Sequence, residues 1–201
     1  MAKASRKQTN AKTSNQLRII GGQWRGRKLN FPSIEGLRPT TDRVRETLFN
    51  WLTPHIVDAR CLDLFSGSGA LGLEALSRGA AFADLVDASP VVCQQLTQNL
   101  QTLQCTKAKV WNNPAQAWLE QAQPSYDVIF LDPPFGKDLA ASCIQLIDSQ
   151  QLLNNAPNAT SWVYLEMATQ DPLPIIPTHW HLHREKTAGQ VSYRLYKVEQ
   201  V

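Results

Sequence analysis

Hydrophobic and polar positions change rhythm twice along the chain. Residues 1–16 show no apolar period and read as a disordered, basic tail. Leu17-Arg18-Ile19-Ile20 reads as a short strand, Gly21-Gly22 as a turn, and Gln23 to Phe31 as a returning strand, which predicts a β-hairpin. Pro32 to Pro39 is a connection. Thr40 or Thr41 can cap a helix running to about Leu52. Val44, Leu48 and Leu52 (or Trp51) give that helix an apolar stripe, and Pro54 ends it.

From residue 60 the pattern becomes short apolar runs alternating with helical periods. Strands are expected at Cys61–Phe65, Phe82–Asp87, Ala108–Trp111, Tyr126–Leu131 and Trp162–Glu166. Helices are expected at Ala70–Arg78, Pro90–Leu103, Ala115–Gln121 and Leu139–Leu152. Two further strands, His181–Glu185 and Val191–Val198, follow with no helical segment between them. Alternation of this kind predicts an α/β fold: a Rossmann-like, doubly wound, mostly parallel sheet. The last pair adds an antiparallel C-terminal edge hairpin. The expected organisation is a basic tail (1–16), a hairpin-and-helix extension (17–53) and the α/β domain (54–201).

Composition narrows the class. The chain has 201 residues, 43% of them apolar, which is enough for a real core. Its apolar runs are shorter than a membrane span requires, and no apolar leader opens it. The four cysteines lack C-x-x-C spacing, so reduced thiols and a cytoplasmic location are expected. Charge is unevenly spread. Residues 1–45 hold eleven Lys/Arg against two acids, a net +9, while the remainder nets −6. A basic arm on a mildly acidic domain points to a polyanionic partner.

Two constellations carry chemistry. The first is Asp63-Leu64-Phe65-Ser66-Gly67-Ser68-Gly69-Ala70-Leu71-Gly72, a glycine-rich turn between strand and helix that lets backbone approach a ligand. Asp87 closes the next strand and can accept both hydroxyls of a ribose, which suits NAD or S-adenosylmethionine equally. Asp63 separates the two. A carboxylate there is awkward beside a pyrophosphate but suits the ammonium end of an amino-acid ligand; satisfaction by loop amides is the competing structural role. The second constellation is Asp132-Pro133-Pro134-Phe135, just after Tyr126–Leu131, where doubly wound folds place ligands. Asp132 and a nearby carbonyl can both accept from one exocyclic amine while Phe135 stacks on the base that bears it. An aryl amine is a poor nucleophile. Two acceptors favour the sp³ geometry needed for in-line attack on a methyl group.

These features resemble the class I S-adenosylmethionine-dependent methyltransferases, in the branch that methylates exocyclic amines. Arg38-Pro39-Thr40-Thr41-Asp42-Arg43-Val44-Arg45-Glu46-Thr47-Leu48-Phe49-Asn50, Gly69 to Ala80 and Arg184 to Tyr196 narrow the resemblance to the bacterial RsmD family, over residues 17–198. That resemblance implies formation of N2-methylguanosine at position 966 of 16S ribosomal RNA. It implies that Asp63 and the loop Phe65, Ser66, Gly67, Ser68, Gly69 hold the methionine part of the cofactor, that Asp87 holds the ribose, and that Asn113 lies beside the adenine. Asp132, Pro133 and Phe135 fall on the catalytic motif, Asp132 also touching the cofactor. Phe65-Ser66 and Leu165-Glu166-Met167 depart slightly from the family pattern.

The implied partner is 16S ribosomal RNA within the small subunit or its assembly intermediate, with no membrane, no metal and a monomeric enzyme. Arg18, Arg25, Arg27, Lys28, Arg38 and Arg43 are candidate phosphate contacts. Trp24 either stacks on an unpaired base or packs on the domain. Arg43 and Arg45 read equally well as a solvated helix face. Glu74 and Arg78, four apart, are expected to pair at the surface. His179, His181 and His183 alternate without a cysteine or carboxylate partner, so no metal site is expected. Competing readings are an adenine-N6 or protein-glutamine methyltransferase, a non-catalytic RNA-binding assembly factor, and a nicotinamide-dependent oxidoreductase.

Overall fold

The computed structural model describes residues 15–34, 40–123, 125–157 and 159–199. Arg38 and residues 1–14 of the expected tail lie outside them. Two strands open the described chain, β1 (Asn15–Arg18) and β2 (Lys28–Phe31), paired antiparallel with Leu17 opposite Leu29. The hairpin is therefore present, but β1 begins at Asn15, inside the segment expected to be tail. Its connection also differs from the expected Gly21-Gly22 turn. A single 3-10 turn, Gly22–Trp24, lies between the strands. The cause is tertiary: the Trp24 amide donates to Ser77 Oγ (3.0 Å), and that hydroxyl donates to the Gly21 carbonyl (2.6 Å). The segment folds against a partner more than fifty residues away rather than on itself.

Helix α1 (Asp42–Leu52) starts where Thr41 Oγ1 accepts from the Val44 amide. It buries Val44, Leu48, Phe49 and Leu52 along one stripe. The alternating part follows as β3 (Arg60–Asp63), α2 (Gly72–Ser77), β4 (Phe82–Asp87), α3 (Pro90–Thr102), β5 (Ala108–Asn112), α4 (Ala115–Leu119), β6 (Val128–Leu131), α5 (Leu139–Ser149) and β7 (Thr160–Ala168). The antiparallel pair β8 (Trp180–Ala188) and β9 (Val191–Glu199) closes it. The seven strands run β5-β4-β3-β6-β7-β9-β8. All neighbours from β5 to β7 are parallel; β9 inserts antiparallel between β7 and β8.

Both faces of the sheet are covered, so the central strands are buried on both sides. One core joins Cys61, Phe130 and Tyr164 to Leu48 and Phe49 of α1 and to Ile19 and Leu29 of the hairpin region. The other joins Leu62, Ile129 and Leu165 to Cys143, Ile144 and Ile147 of α5. The N-terminal extension thus shares its core with the sheet. Buried Asp84 knits the strands polarly: it accepts from the Tyr126 hydroxyl (2.7 Å), Trp111 Nε1 (2.8 Å) and Arg60 (3.1 Å).

Two expectations about charge are corrected. Arg45 is not on a solvated face. It is fully buried, donating to Asp42 (2.6 Å), Glu74 (3.4 Å) and the Arg18 carbonyl (2.9 Å). Glu74 does pair with Arg78 (2.7 Å), but at 0% exposure and not at the surface. Its other oxygen accepts from the Ile20 amide (2.9 Å). Sequence spacing showed only Arg78; the buried partners lie 29 and 54 residues away and require the fold.

Candidate active site

Strand order reverses between β3 and β6: β4 and β5 extend the sheet on one side, β6 and β7 on the other. In doubly wound sheets a crevice opens at that point, beyond the carboxyl ends of the strands. The acidic residues gather there. Asp63 is the last residue of β3, Asp87 the last of β4, Asp132 follows β6, and Glu166 lies near the end of β7.

The loop after β3 is shaped by its small residues. Gly67 (φ 49°) and Gly69 (φ 81°) take left-handed backbone, which glycine adopts without strain. Gly72 is needed for a different reason: a Cβ there would sit 2.3 Å from Leu85 Cδ2 and 3.1 Å from Asp63 Oδ2. Helix α2 can therefore start close against β3 and β4. Asp63 Oδ2 accepts from the Gly72 amide (2.9 Å), and Ser66 Oγ donates to the Asp63 carbonyl (2.9 Å). Loop amides thus satisfy part of this carboxylate. Asp87 accepts from the amides of Gly67 (3.0 Å) and Ser89 (2.8 Å), which joins the loop to the end of β4. Ser66 and Ser68 are buried, while Phe65 is half-buried. Asn113 donates its amide to the Asp87 carbonyl (3.1 Å) and is half-buried beside it.

Asp132 receives the hydroxyl of Thr40 (3.2 Å), delivered by the segment entering α1. This contact was not foreseen; ninety-two residues separate the pair. Pro133 is buried, while Phe135 stands 47% exposed. Phe135 belongs to the wall of a cavity of about 290 Å³ that also includes Pro133, Pro134, Glu166 and Met167. Glu166 accepts from the Tyr164 hydroxyl at 2.5 Å and was likewise unmarked as a site residue by its sequence context.

Electrostatics sets this crevice apart. Burial raises Asp63 to about 7, with the Asp87 charge adding and the Gly72 and Phe65 amides opposing. Burial, then the charges of Glu166 and Asp63, pushes Asp132 well above the usual carboxylate range. Burial raises Glu166 and Asp87 as well. Among the described residues, none of the four is paired with a Lys, Arg or His side chain. Asp63 and Glu166 are buried and Asp87 and Asp132 half-buried; carboxylates drawn out of water without a cation are costly, so the crevice suits positive charge. A ligand with an ammonium and a sulfonium fits that donor set; a pyrophosphate does not.

The basic candidates lie on the outside. Arg18, Arg25, Arg27, Lys28 and Arg43 are exposed. Arg18 pairs with Asp42 (2.9 Å) and Arg27 donates to the Thr102 carbonyl (3.1 Å). Trp24 is half-buried and packs against the core, which favours the packing role over base stacking. The histidines go to other tasks: His179 pairs with Asp148 (3.0 Å), and His183 meets the Trp162 ring edge-on. No group of three or more metal-ligating side chains occurs among the described residues.

A mostly parallel sheet in this order, with acidic side chains closing its central strands and an antiparallel end, defines a Rossmann-like methyltransferase fold. Comparison with known proteins narrows it. The family model described as "Conserved hypothetical protein 95" matches residues 17–197. The ribosomal RNA small subunit methyltransferase D of Escherichia coli (strain K12) is 53% identical over 193 residues, 96% of each chain. Its Haemophilus influenzae namesake is 50% identical over 186 residues, covering 90% of this chain and 94% of the relative. The solved structure of yhhF from Escherichia coli superposes with a TM-score of 0.85 at 53% identity, covering 93% of this chain and all of that one. The chain belongs to this family, the RsmD methyltransferases.

Proposed function

We propose that the protein transfers a methyl group from S-adenosylmethionine to the exocyclic N2 amine of a guanine in 16S ribosomal RNA, at position 966 by family resemblance. The substrate is the small ribosomal subunit or its assembly intermediate. One observation carries this reading most: Asp132 sits half-buried at the end of β6, beside a cavity walled by the exposed ring of Phe135. Relatives named as small-subunit ribosomal RNA methyltransferases support the substrate class.

Each group then has a task. Asp63 and the loop from Phe65 to Gly69 hold the amino-acid end of the cofactor; Asp87 holds its ribose and Asn113 flanks its adenine. The cofactor supplies an electrophilic methyl group on a sulfonium. Phe135 holds the target base by its face, and Pro133 keeps the turn stiff so that ring and carboxylate stay in register. Asp132 accepts from the amine, orients its lone pair and stabilises the positive charge that develops on nitrogen. No strong base is needed, because the alkylated nitrogen is acidic and gives up its proton after transfer. Getting the guanine out of its stack costs a few kcal/mol, which binding of the surrounding RNA must supply.

The test is transfer from labelled S-adenosylmethionine to unmethylated small subunits and to protein-free 16S RNA, with the product nucleoside identified by mass spectrometry. The expected product is N2-methylguanosine at one site. Asp132→Ala is expected to lower the rate by at least about 100-fold while keeping cofactor affinity within a few-fold. Tight cofactor binding with no transfer to either RNA would move the target to another amine.

A further inference from the structure

The wall of the cavity beside Asp132 bears on which base can enter it. β6 and β7 are parallel neighbours with Leu131 opposite Leu165, so Asp132 and Glu166 follow in step on adjacent strands. Residues opposite each other in parallel strands leave the sheet on the same face, with the strands about 4.8 Å apart. Glu166 is only 5% exposed, and it forms part of the cavity wall. Its Oε2 accepts from the Tyr164 hydroxyl, while Oε1 has no hydrogen-bond partner among the described residues. Tyr164 is itself fully buried against Phe130 and Tyr193, so the carboxyl it holds is fixed in direction.

The edges of the bases differ in what they would present to such a pair. Guanine offers two adjacent donors, N1–H and the 2-amine. Adenine and cytosine offer an amine beside a ring nitrogen that is an acceptor. An ionised carboxylate only accepts. Beside a donor N1–H it gains a charge-assisted hydrogen bond; beside an acceptor nitrogen it faces another lone pair and stays unsatisfied. We propose that Glu166 is a specificity-determining residue: while Asp132 accepts from the amine to be methylated, Glu166 accepts from N1–H of the same base and thereby selects guanine. The inference rests on the reading of Asp132 given above and adds to it a second reader of the same edge. Tyr164 is a positioning residue that aims Glu166.

A base analogue separates this from a purely structural role. 2,6-Diaminopurine keeps the 2-amine but turns N1 into an acceptor. Small subunits reconstituted with guanine or 2,6-diaminopurine at the mapped target are offered to wild type, Glu166→Gln and Tyr164→Phe, with cofactor binding measured as a check on folding. Wild type is expected to prefer guanine by about 10- to 100-fold in kcat/KM, the value of one base-edge contact. The glutamine amide can donate to an acceptor N1, so Glu166→Gln is expected to bring that ratio to within about threefold of unity. Tyr164→Phe keeps the carboxylate and is expected to keep the preference while raising KM. An unchanged ratio in a folded Glu166→Gln protein overturns the proposal. Equal use of both bases by wild type overturns it whether or not the variants fold. Failure of the underlying reading looks different: wild type would then make no N2-methylguanosine from the guanine-bearing subunit.

Discussion

Asp63 combines two demands in one side chain. It sits at the end of β3, out of water, and the proposed function needs it negative when the amino-acid end of the cofactor arrives. Burial moves its pKa to about 7, far above an ordinary aspartate. Folding favours the protonated form, so the contribution of Asp63 to stability is full below about pH 4 and fades as pH rises through 7. Ligand binding runs the other way, since only the ionised form pairs with an ammonium. Calorimetry with S-adenosylmethionine is therefore expected to show affinity rising by up to about tenfold per pH unit from pH 5.5 to 7. It should then flatten until the ligand's own amine, with a pKa of about 8, begins to lose its proton. Asp63→Asn should bind weakly at every pH and show no such rise. A flat profile in wild type would mean that Asp63 does not meet the ammonium.

At the scale of elements, the extension is fastened by buried charge. Glu74 of α2 takes the Ile20 amide, Arg45 of α1 and Arg78, and Arg45 reaches on to Asp42 and the Arg18 carbonyl. Removing one member of a buried pair costs about 3–5 kcal/mol, because the other charge is stranded. Glu74→Ala is thus expected to lower unfolding free energy by that amount in urea titration and to speed hydrogen exchange at Ile20 and Trp24. A loss below 1 kcal/mol would show that the network contributes little. The strands of the sheet were legible in the sequence because fully buried runs such as Val128-Ile129-Phe130-Leu131 admit few other readings. Alternation with helices then gave the doubly wound order. The hairpin's connection was not legible, because its shape depends on Ser77, which no local rule links to Gly21 and Trp24. Glu74 misled for a related reason: its i,i+4 partner is visible in the sequence, and its burial is not. At the site, Asp63, Asp87 and Asp132 stood out as acids at strand ends. Thr40 and Glu166 did not: Thr40 matters through Asp132, ninety-two residues on, and Glu166 through its place beside β6, which only the fold brings about.

Across the whole molecule, charge is divided by location. The carboxylates line the crevice, and Arg25, Lys28 and Arg43 stand outside with no ion pair among the described residues. Arg18 is already engaged by Asp42. Phosphate contacts make affinity fall with salt by roughly 0.7–0.9 of a log unit per contact for each decade of salt. The triple change of Arg25, Lys28 and Arg43 to Gln is expected to flatten the salt dependence of subunit binding by about 2 in slope. Arg18→Gln should change it by much less. The product nucleoside should stay the same in both, because contacts to phosphate position RNA and do not read the base. An unaltered slope in the triple variant would place the RNA on another face.

The order of strands also has a temporal side. β9 is the last strand among the described residues, yet it lies inside the sheet, between β7 and β8. Until residues 191–199 emerge from the ribosome, β7 has an open edge, and the Tyr164 that aims Glu166 lacks its neighbour Tyr193. A nascent chain can assemble β3, β4 and the glycine loop early, whereas the Glu166 side of the crevice waits for β9 to emerge. The Asp63 and Asp87 side of the crevice thus precedes the Glu166 side, and a chain cut before β9 would expose an open strand edge on β7.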